Sequence, residues 1–405
     1  MDLFQNGLLN FQNIYSIFDW LLPDGLDWLA FALAGGLIAL IVINVMVMGT
    51  GLYTWFERRI IGRMQARLGP NRWGPYGLLQ PIADVLKLMV KEDTVPALAD
   101  RLVFNIAPVI LLVPALLVVA VIPFGTDGTG PSLGNLNIGV LFIIGVTSVN
   151  TIAVLAGGWA SRNKYAMLGA MRGVAMLISY EVPMALGIIG VVLIANSLSL
   201  FEVVRAQSVP FLLVQPLGFL VFIAAASAEM SRTPFDQIEA ESELGAGYHT
   251  EYSGMKFAIF QLAEFMAPLV TSIITTVLFL GGTNGWTVIP GQIWFLAKVF
   301  LIMFILLWVR ATWPRLRIDQ IMGFAWKGLF AMALINIFAV AIEVMLLQDQ
   351  KTGTLTSSDL WLMSVINWGI TIVTIVLMVK LLAGNQWERP VPTPSPLANM
   401  YAEAD

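Results

Sequence analysis

The sequence predicts an all-α fold, a polytopic membrane helix bundle of about nine transmembrane helices with an amphipathic helix at the cytoplasmic face and an acidic loop between spans five and six. Three observations lead there. The 405 residues are 58% hydrophobic with a mean hydropathy of +0.80, more apolar surface than a soluble domain of this size can bury. Apolar runs recur at the length of about 20 residues that a hydrocarbon core of roughly 30 Å demands of a helix. They fall at about 28–55, 102–123, 138–160, 173–195, 211–230, 255–281, 292–311, 325–347 and 359–382. Finally, these runs lack the alternation of outer-membrane barrel strands, and no internal period suggests the matched halves of many transporters.

Residues 28–382 therefore form one transmembrane domain, preceded by an outer-face segment, 1–27, and followed by a mobile Pro-rich tail, 383–405, with prolines at 390, 392, 394 and 396. No basic segment precedes the first apolar run, so that run is expected to remain as a helix and not to be cleaved as a signal peptide. Lys and Arg set the orientation. Residues 1–57 hold none, whereas 58–101 hold eight: Arg58, Arg59, Arg63, Arg67, Arg72, Lys87, Lys91 and Arg101. That puts the N-terminus outside and the first long loop in the cytoplasm. With sides alternating from there, 19 of the 22 basic residues fall on the cytoplasmic face, Arg205 and Lys351 lie opposite, and Lys298 sits inside a span. The C-terminus then lies in the cytoplasm. Zero cysteines and one histidine exclude disulfides, thiolate zinc sites, iron–sulfur ligation and a bis-histidine haem on this chain. No hydrolase triad, metal-binding His/Asp cluster or P-loop is present, and no nucleic-acid partner is expected.

Each element has a local reason. The first loop, Glu57 to Asp93, begins basic and is broken by Gly69, Pro70, Gly74 and Pro75; from Leu78 its apolar positions, 78, 79, 82, 85, 86 and 89, oppose Gln80, Asp84, Lys87 and Lys91. This is helical amphipathic spacing on a segment too short to span, so it should lie in the interface or pack over the bundle. It either anchors the loop or walls a lipid-side entrance. The Gly-rich stretch 124–137 is an outer connector, and Ser161 to Arg172 a short basic turn on the inner side. Span four carries Glu181 followed by Pro183, with Glu181 nine residues past Arg172 and so roughly 13 Å deep at about 1.5 Å per residue. A carboxylate at that depth is costly and must face the bundle interior, while the proline makes room for water or a second polar group. Span six repeats the arrangement, Glu264 before Pro268, about 12 Å in from Lys256. Two acids at one level on separate helices suggest a shared polar centre.

Between spans five and six lies the densest charge in a chain that is only 12% charged: residues 229–251 hold six acids, Glu229, Asp236, Glu239, Glu241, Glu243 and Glu251, with only Arg232 and His249 to offset them. Thr233–Pro234 turns the chain. On an extended segment Glu239, Glu241 and Glu243 share a face, whereas on a helix Glu239 and Glu243 pair and Glu241 points away. Either arrangement crowds carboxylates, which then take up protons in coupled steps with at least one pKa raised. A solvated acidic loop is the plainer reading, but Glu229 and Glu264 frame the segment from positions inside helices. Arg310, Arg315 and Arg317, with Asp319, fall on the same side and are expected as counterions of the loop. Lys298 and Glu343, toward the outer ends of their spans, are expected to reach for the interface. The acids run from the cytoplasmic face to mid-membrane at Glu181, Glu229 and Glu264 and then stop. Such a chain favours a relay handing charge sideways to partners over a self-contained channel.

Four stretches then carry a resemblance: Glu57–Asp93 with GPNRWGPYGLLQPIADVLKL at its centre, SYEVP at Ser179–Pro183, EMSRTPFDQIEAESELGAGYHTEYSG at Glu229–Gly254, and RATWPRLRIDQIM at Arg310–Met322. In this order they resemble the quinone-site membrane subunit of respiratory complex I, NADH:quinone oxidoreductase, known as the H subunit in bacteria and subunit 1 in mitochondria. The similarity leaves out only 1–27 and the tail beyond about 350, and the ninth span is an addition relative to eight-span relatives. The resemblance implies a subunit of a proton-translocating enzyme at the joint between the peripheral and membrane arms of the complex, in the bacterial cytoplasmic membrane. It implies quinone as substrate, no cofactor on this chain, and iron–sulfur clusters, FMN and NADH on peripheral-arm partners, with other membrane subunits and lipid as neighbours. Carried over by position, Glu57, Arg58, Arg67 and Asp84 match entrance and chamber-neck residues, and Arg232, Asp236, Arg310 and Arg315 match residues lining or bracing the chamber. Glu181, Glu229, Glu239, Glu241, Glu243 and Glu264 match the acidic funnel that links quinone chemistry to proton pumping. Three departures touch detail: Met230–Ser231 stands for the common Thr–Asn, Ala331 for proline, and Phe265 for a frequent tyrosine. Two other functions compete: the homologous membrane subunit of an energy-converting hydrogenase, which the intact TPFDQIEAESEL loop disfavours, and a proton-coupled secondary transporter.

Overall fold

Hydrocarbon-length runs become helices because only a helix satisfies its own backbone polar groups without water. The structure, a computed structural model, describes residues 11–21, 26–123, 136–238, 245–285, 290–348 and 355–384. The expected Pro-rich tail and most of the Gly-rich outer connector lie outside the described residues. The helices are α1 (Phe11–Leu21), α2 (Asp27–Met64), α3 (Gln80–Val90), α4 (Arg101–Ala120), α5 (Gly139–Thr147), α6 (Val149–Ala160), α7 (Lys164–Ala195) and α8 (Leu200–Ala206). They continue as α9 (Phe211–Val214), α10 (Pro216–Glu229), α11 (Gly254–Phe279), α12 (Gly291–Thr312), α13 (Ile318–Gly323), α14 (Phe330–Leu347) and α15 (Ser357–Gly384). Among the described residues there is no strand, and eight stretches are long and apolar enough to cross a membrane, with α5–α6 and α13–α14 each counted once.

The expected fifth span departs from the prediction. Pro216 restricts Gln215 (φ −131°, ψ 71°) out of the helical region, so the run divides into α9 and the 14-residue α10. The first helix runs longer than expected, through Arg58, Arg59 and Arg63 to Met64; at about 1.5 Å per residue, its 38 residues are about 57 Å long, which exceeds the roughly 30 Å of the hydrocarbon core. Glu57 is therefore a helical residue and not the start of a loop. Part of the outer-face segment is itself helical, as α1.

The core gathers around α7, which packs on α6, α10 and α14, while α11 packs on α4 and α12. Small residues permit this. A Cβ on Gly158 of α6 would lie 2.4 Å from the Ala170 Cβ of α7, and one on Gly169 2.8 Å from the Gly247 Cα, the close approach by which membrane helices associate. At the periphery, Trp28, Phe31, Leu40 and Met48 of α2 are exposed, which is ordinary for a surface facing lipid.

Between α13 and α14, residues Phe324–Leu329 form a π-helical turn. The Tyr180 hydroxyl donates to the Ile321 carbonyl at 2.9 Å and the Trp326 indole donates to the Ser179 hydroxyl at 3.2 Å. The SYE stretch of α7 is thus tied to this turn, a form of helix frequent beside functional sites. Lys298 does not reach for the interface: its ammonium donates to the Leu280, Gly282 and Asn284 carbonyls at 2.6, 3.0 and 2.5 Å. It thereby satisfies the C-cap carbonyl of α11 and two carbonyls of the turn that follows it. Glu343 is likewise turned inward, 7% exposed and hydrogen-bonded by Asn367 of α15.

Candidate functional site: a buried charge network and its cavity

The first residues after α10 turn into the protein instead of water. Arg232, Phe235, Gln237 and Ile238 are all buried; Phe235 lies 5.2 Å from the Tyr180 ring and 6.4 Å from Phe324, and the Leu316 amide donates to the Pro234 carbonyl at 3.1 Å. This packing places Arg232 between two helices. Its guanidinium contacts Glu57 of α2 at 3.4 Å and Glu264 of α11 at 3.3 Å, and lies over the Phe265 ring at 4.5 Å. Phe265 thus supplies a cation–π face. Arg310 of α12 pairs with the same Glu57 oxygen. Two carboxylates and two guanidiniums form a charge-balanced quartet, with Tyr53, 3% exposed, beside Arg232, Arg310 and Glu264. Balance is what makes burial tolerable, since an unpaired charge here would cost several kcal/mol.

The expected counterions divide differently from the prediction. Arg310 serves Glu57 and not the acidic loop, because its helix runs alongside α2 and α11. Arg315 does meet a loop acid, Asp236. Burial pushes the Asp236 carboxyl above the usual range, and the Arg315 guanidinium pulls it back only in part. Arg317 and Asp319 enter no ion pair among the described residues. At the other end of the loop, Glu251 accepts from Asn163 at 2.6 Å. His249 is 5% exposed against Tyr248 and Phe257, and burial lowers its proton affinity while Glu264 opposes that shift.

Beside the quartet, Glu229 and Glu264 line one cavity together with Thr147, Asn150, Tyr248 and Thr271. Its volume of about 100 Å³ leaves room for several waters. Glu181 does not line it, yet stands close enough to Glu229 for the two like charges to act on one another. Glu239, Glu241 and Glu243 lie outside the described residues. Of the residues expected at the entrance, Glu57 belongs to the quartet, while Arg58, Arg67 and Asp84 lie together in a separate group. Arg58 bonds Asp84 at 2.6 Å, joining α2 to α3, and Arg58, Arg67 and Gln80 line an open cleft with Gly69 and Pro70. The apolar side of α3, including Ile82, Leu86 and Met89, is exposed.

Thr147, Asn150, Thr271 and Tyr53 escaped the sequence reading, which weighed only charged residues inside spans. An asparagine in an apolar run is itself costly in lipid, so Asn150 carried a usable signal. What the site can do chemically is hold charge and pass protons through a few waters between carboxylates. It defines a class: a polytopic membrane protein that carries a buried ion-pair network within its bundle.

Residues 37–341 match the NADH dehydrogenase family. The chain is 50% identical over 323 residues to the H subunit of NADH-quinone oxidoreductase from Dehalococcoides mccartyi strain CBDB1, covering 80% of this chain and 90% of the relative. It is 48% identical to the H subunit from Geobacillus kaustophilus over 78% of this chain and 95% of that one, and 48% identical to the H subunit from Bacillus thuringiensis over 80% and 97%. The chain belongs to the NADH dehydrogenase family and is a multi-pass membrane protein.

Proposed function

We propose that the chain is the membrane subunit of a proton-translocating NADH:quinone oxidoreductase, where it forms the membrane side of the quinone chamber and couples quinone reduction to proton movement. The observation that carries this reading is the buried quartet standing against a cavity shared by Glu229 and Glu264. Reduction of a quinone to a quinol consumes two electrons and two protons. In this reading electrons arrive from an iron–sulfur cluster of a peripheral-arm partner, which takes them in turn from FMN and NADH. The protons, or the charge their absence leaves, are felt by the carboxylates of this chain.

In the mechanism, quinone enters from lipid past the exposed apolar side of α3, with Arg58, Arg67, Asp84 and Glu57 at the entrance and neck. Arg232, Asp236, Arg310 and Arg315 brace the chamber. Negative charge developing on the quinone draws on the guanidiniums, the ties of Glu57 and Glu264 loosen, and their proton affinity rises. Glu264 then exchanges protons with Glu229 through cavity water, and Glu181 next to Glu229 passes the charge onward to neighbouring membrane subunits. Glu239, Glu241 and Glu243 supply the cytoplasmic end of the relay. The membrane is the bacterial cytoplasmic membrane, with the N-terminus outside and the C-terminus in the cytoplasm, as the distribution of Lys and Arg supports.

Glu229→Gln in the assembled complex tests the reading. NADH oxidation by an artificial acceptor that takes electrons upstream of quinone should be unchanged. Quinone reduction and proton uptake should both fall by about a hundredfold, the low end of what a positioned proton-transfer group contributes. Parent rates of quinone reduction and pumping in this variant would defeat the relay.

A further inference from the structure

The relay leaves one buried acid unused. Glu343 stands one turn from the end of α14, on the stripe Ala333, Asn336, Val340 and Glu343 that faces inward. It is 7% exposed, and its Oε1 is buried with no hydrogen-bond partner among the described residues. The α15 helix explains why it tolerates that place. This helix is apolar outside, with Trp361, Val365, Ile372 and Val376 exposed, yet turns Ser364, Asn367, Thr371 and Thr374 inward, all 5% exposed or less. The hydroxyls of Ser364, Thr371 and Thr374 go to backbone carbonyls. Asn367 alone reaches a side chain, donating to Glu343 Oε2 at 2.7 Å.

No cation is paired with Glu343 among the described residues. Among the described residues, the charged groups on the elements nearest this end of α14 are engaged elsewhere, Glu202 with Arg205 at 3.1 Å on α8, Lys298 of α12 with its three carbonyls, and Asp359 of α15 with the Thr356 amide at 3.0 Å, while Lys351 lies outside the described residues. Two helical turns farther in, buried Asn336 and Gln215 crowd against Gly190 and Gly218, and the Asn336 Nδ2 and both Gln215 amide atoms lack partners among the described residues. Unpaired polar atoms are thus buried on this face of α14 both at Glu343 and deeper in the bundle.

We propose that Glu343, held by Asn367, is a second protonatable site of the chain, in the outer half of the membrane, whose ligand is a proton exchanged with water on the outer side. The step is COOH to COO⁻ plus a proton delivered to water. An ionised carboxylate without a cation is costly in this setting, so the acid form is held at rest. The amide bond from Asn367 lets the ionised form exist and makes the exchange reversible. Protonation follows from the geometry alone, whereas the word outer rests on the orientation given under the proposed function, and the two can fail separately.

The test is infrared difference spectroscopy of the assembled complex in liposomes, titrated from acid to alkaline pH, for the parent, Glu343→Gln and Asn367→Leu. The parent should show a buried protonated-carboxyl band that fades as pH rises. Glu343→Gln, which keeps a hydrogen-bonding partner for Asn367, should lose that band, and Asn367→Leu should move its midpoint up by about one pH unit. Changing only the outer pH should reproduce the fading. Identical titrations in parent and Glu343→Gln, a band indifferent to pH, or one that follows sodium in place of the proton each overturn the site. A response to inner pH alone overturns the outer placement.

Discussion

At the scale of residues, exposure decides which ion pairs matter. Arg232, Glu57 and Glu264 have side-chain exposures of 7%, 4% and 14%, so removing Arg232 leaves Glu57 with Arg310 alone and Glu264 with no paired cation among the described residues. Arg232→Ala should destabilise the assembled protein by about 3–5 kcal/mol, read as a lowered thermal midpoint. Arg58→Ala should cost less than about 1 kcal/mol, because its pair with Asp84 is 43% and 26% exposed. His249 gives a pH dependence with a definite sign. Its folded proton affinity lies below the ordinary value of 6.5, so the unfolded chain binds the proton more readily. Its contribution to stability is complete above that value and is lost as pH falls below it. Thermal midpoints measured against pH should therefore drop less steeply on acidification in His249→Asn than in the parent. Of these residues the sequence made the charged ones visible, since a carboxylate in an apolar run stands out. The partnerships were hidden: that Arg310 belongs to Glu57, 253 residues away, depends on how α2 and α12 are brought together, which no local pattern encodes.

At the scale of elements, periodicity and length made the helices legible, and the two misreadings have physical causes. Pro216 was in plain view inside the fifth run, but the hydropathy of its neighbours masked the break it imposes. The basic residues 58–63 looked like a loop because they leave the hydrocarbon, yet a helix need not end where lipid does. Contacts between elements were not legible, and Gly158 tests them. A side chain there must push α6 off α7, since even a Cβ would lie 2.4 Å from that of Ala170. Gly158→Leu should cost about 1–3 kcal/mol or more through overpacking, read as reduced yield and thermal stability of the complex, whereas Gly35→Leu on α2, where a Cβ meets nothing within 4 Å, should be silent.

At the scale of the whole molecule, the carboxylates of the expected relay occupy one end and the middle of the bundle; beyond them, apart from Asp19, Asp27, Glu202, Arg205 and Asp359 near helix ends, the described residues carry charge toward the other end of the spans only at Glu343 and Lys298. No continuous route crosses the chain among the described residues. Purified alone and placed in liposomes, it should therefore show neither proton transport nor quinone reduction, and a pH-sensitive dye trapped inside should stay constant until partner subunits are added. The class, an all-α multi-pass membrane protein, was readable from composition and run length, while the architecture that makes α7 the centre was not, because its glycines look like interruptions until their neighbours are known.

Both guanidiniums of the quartet converge on a single oxygen of Glu57. Loss of either one therefore leaves Glu57 a cation in place, whereas Glu264, paired with Arg232 alone among the described residues, would be left without one. The two carboxylates of the quartet are thus unequally insured against the removal of a guanidinium.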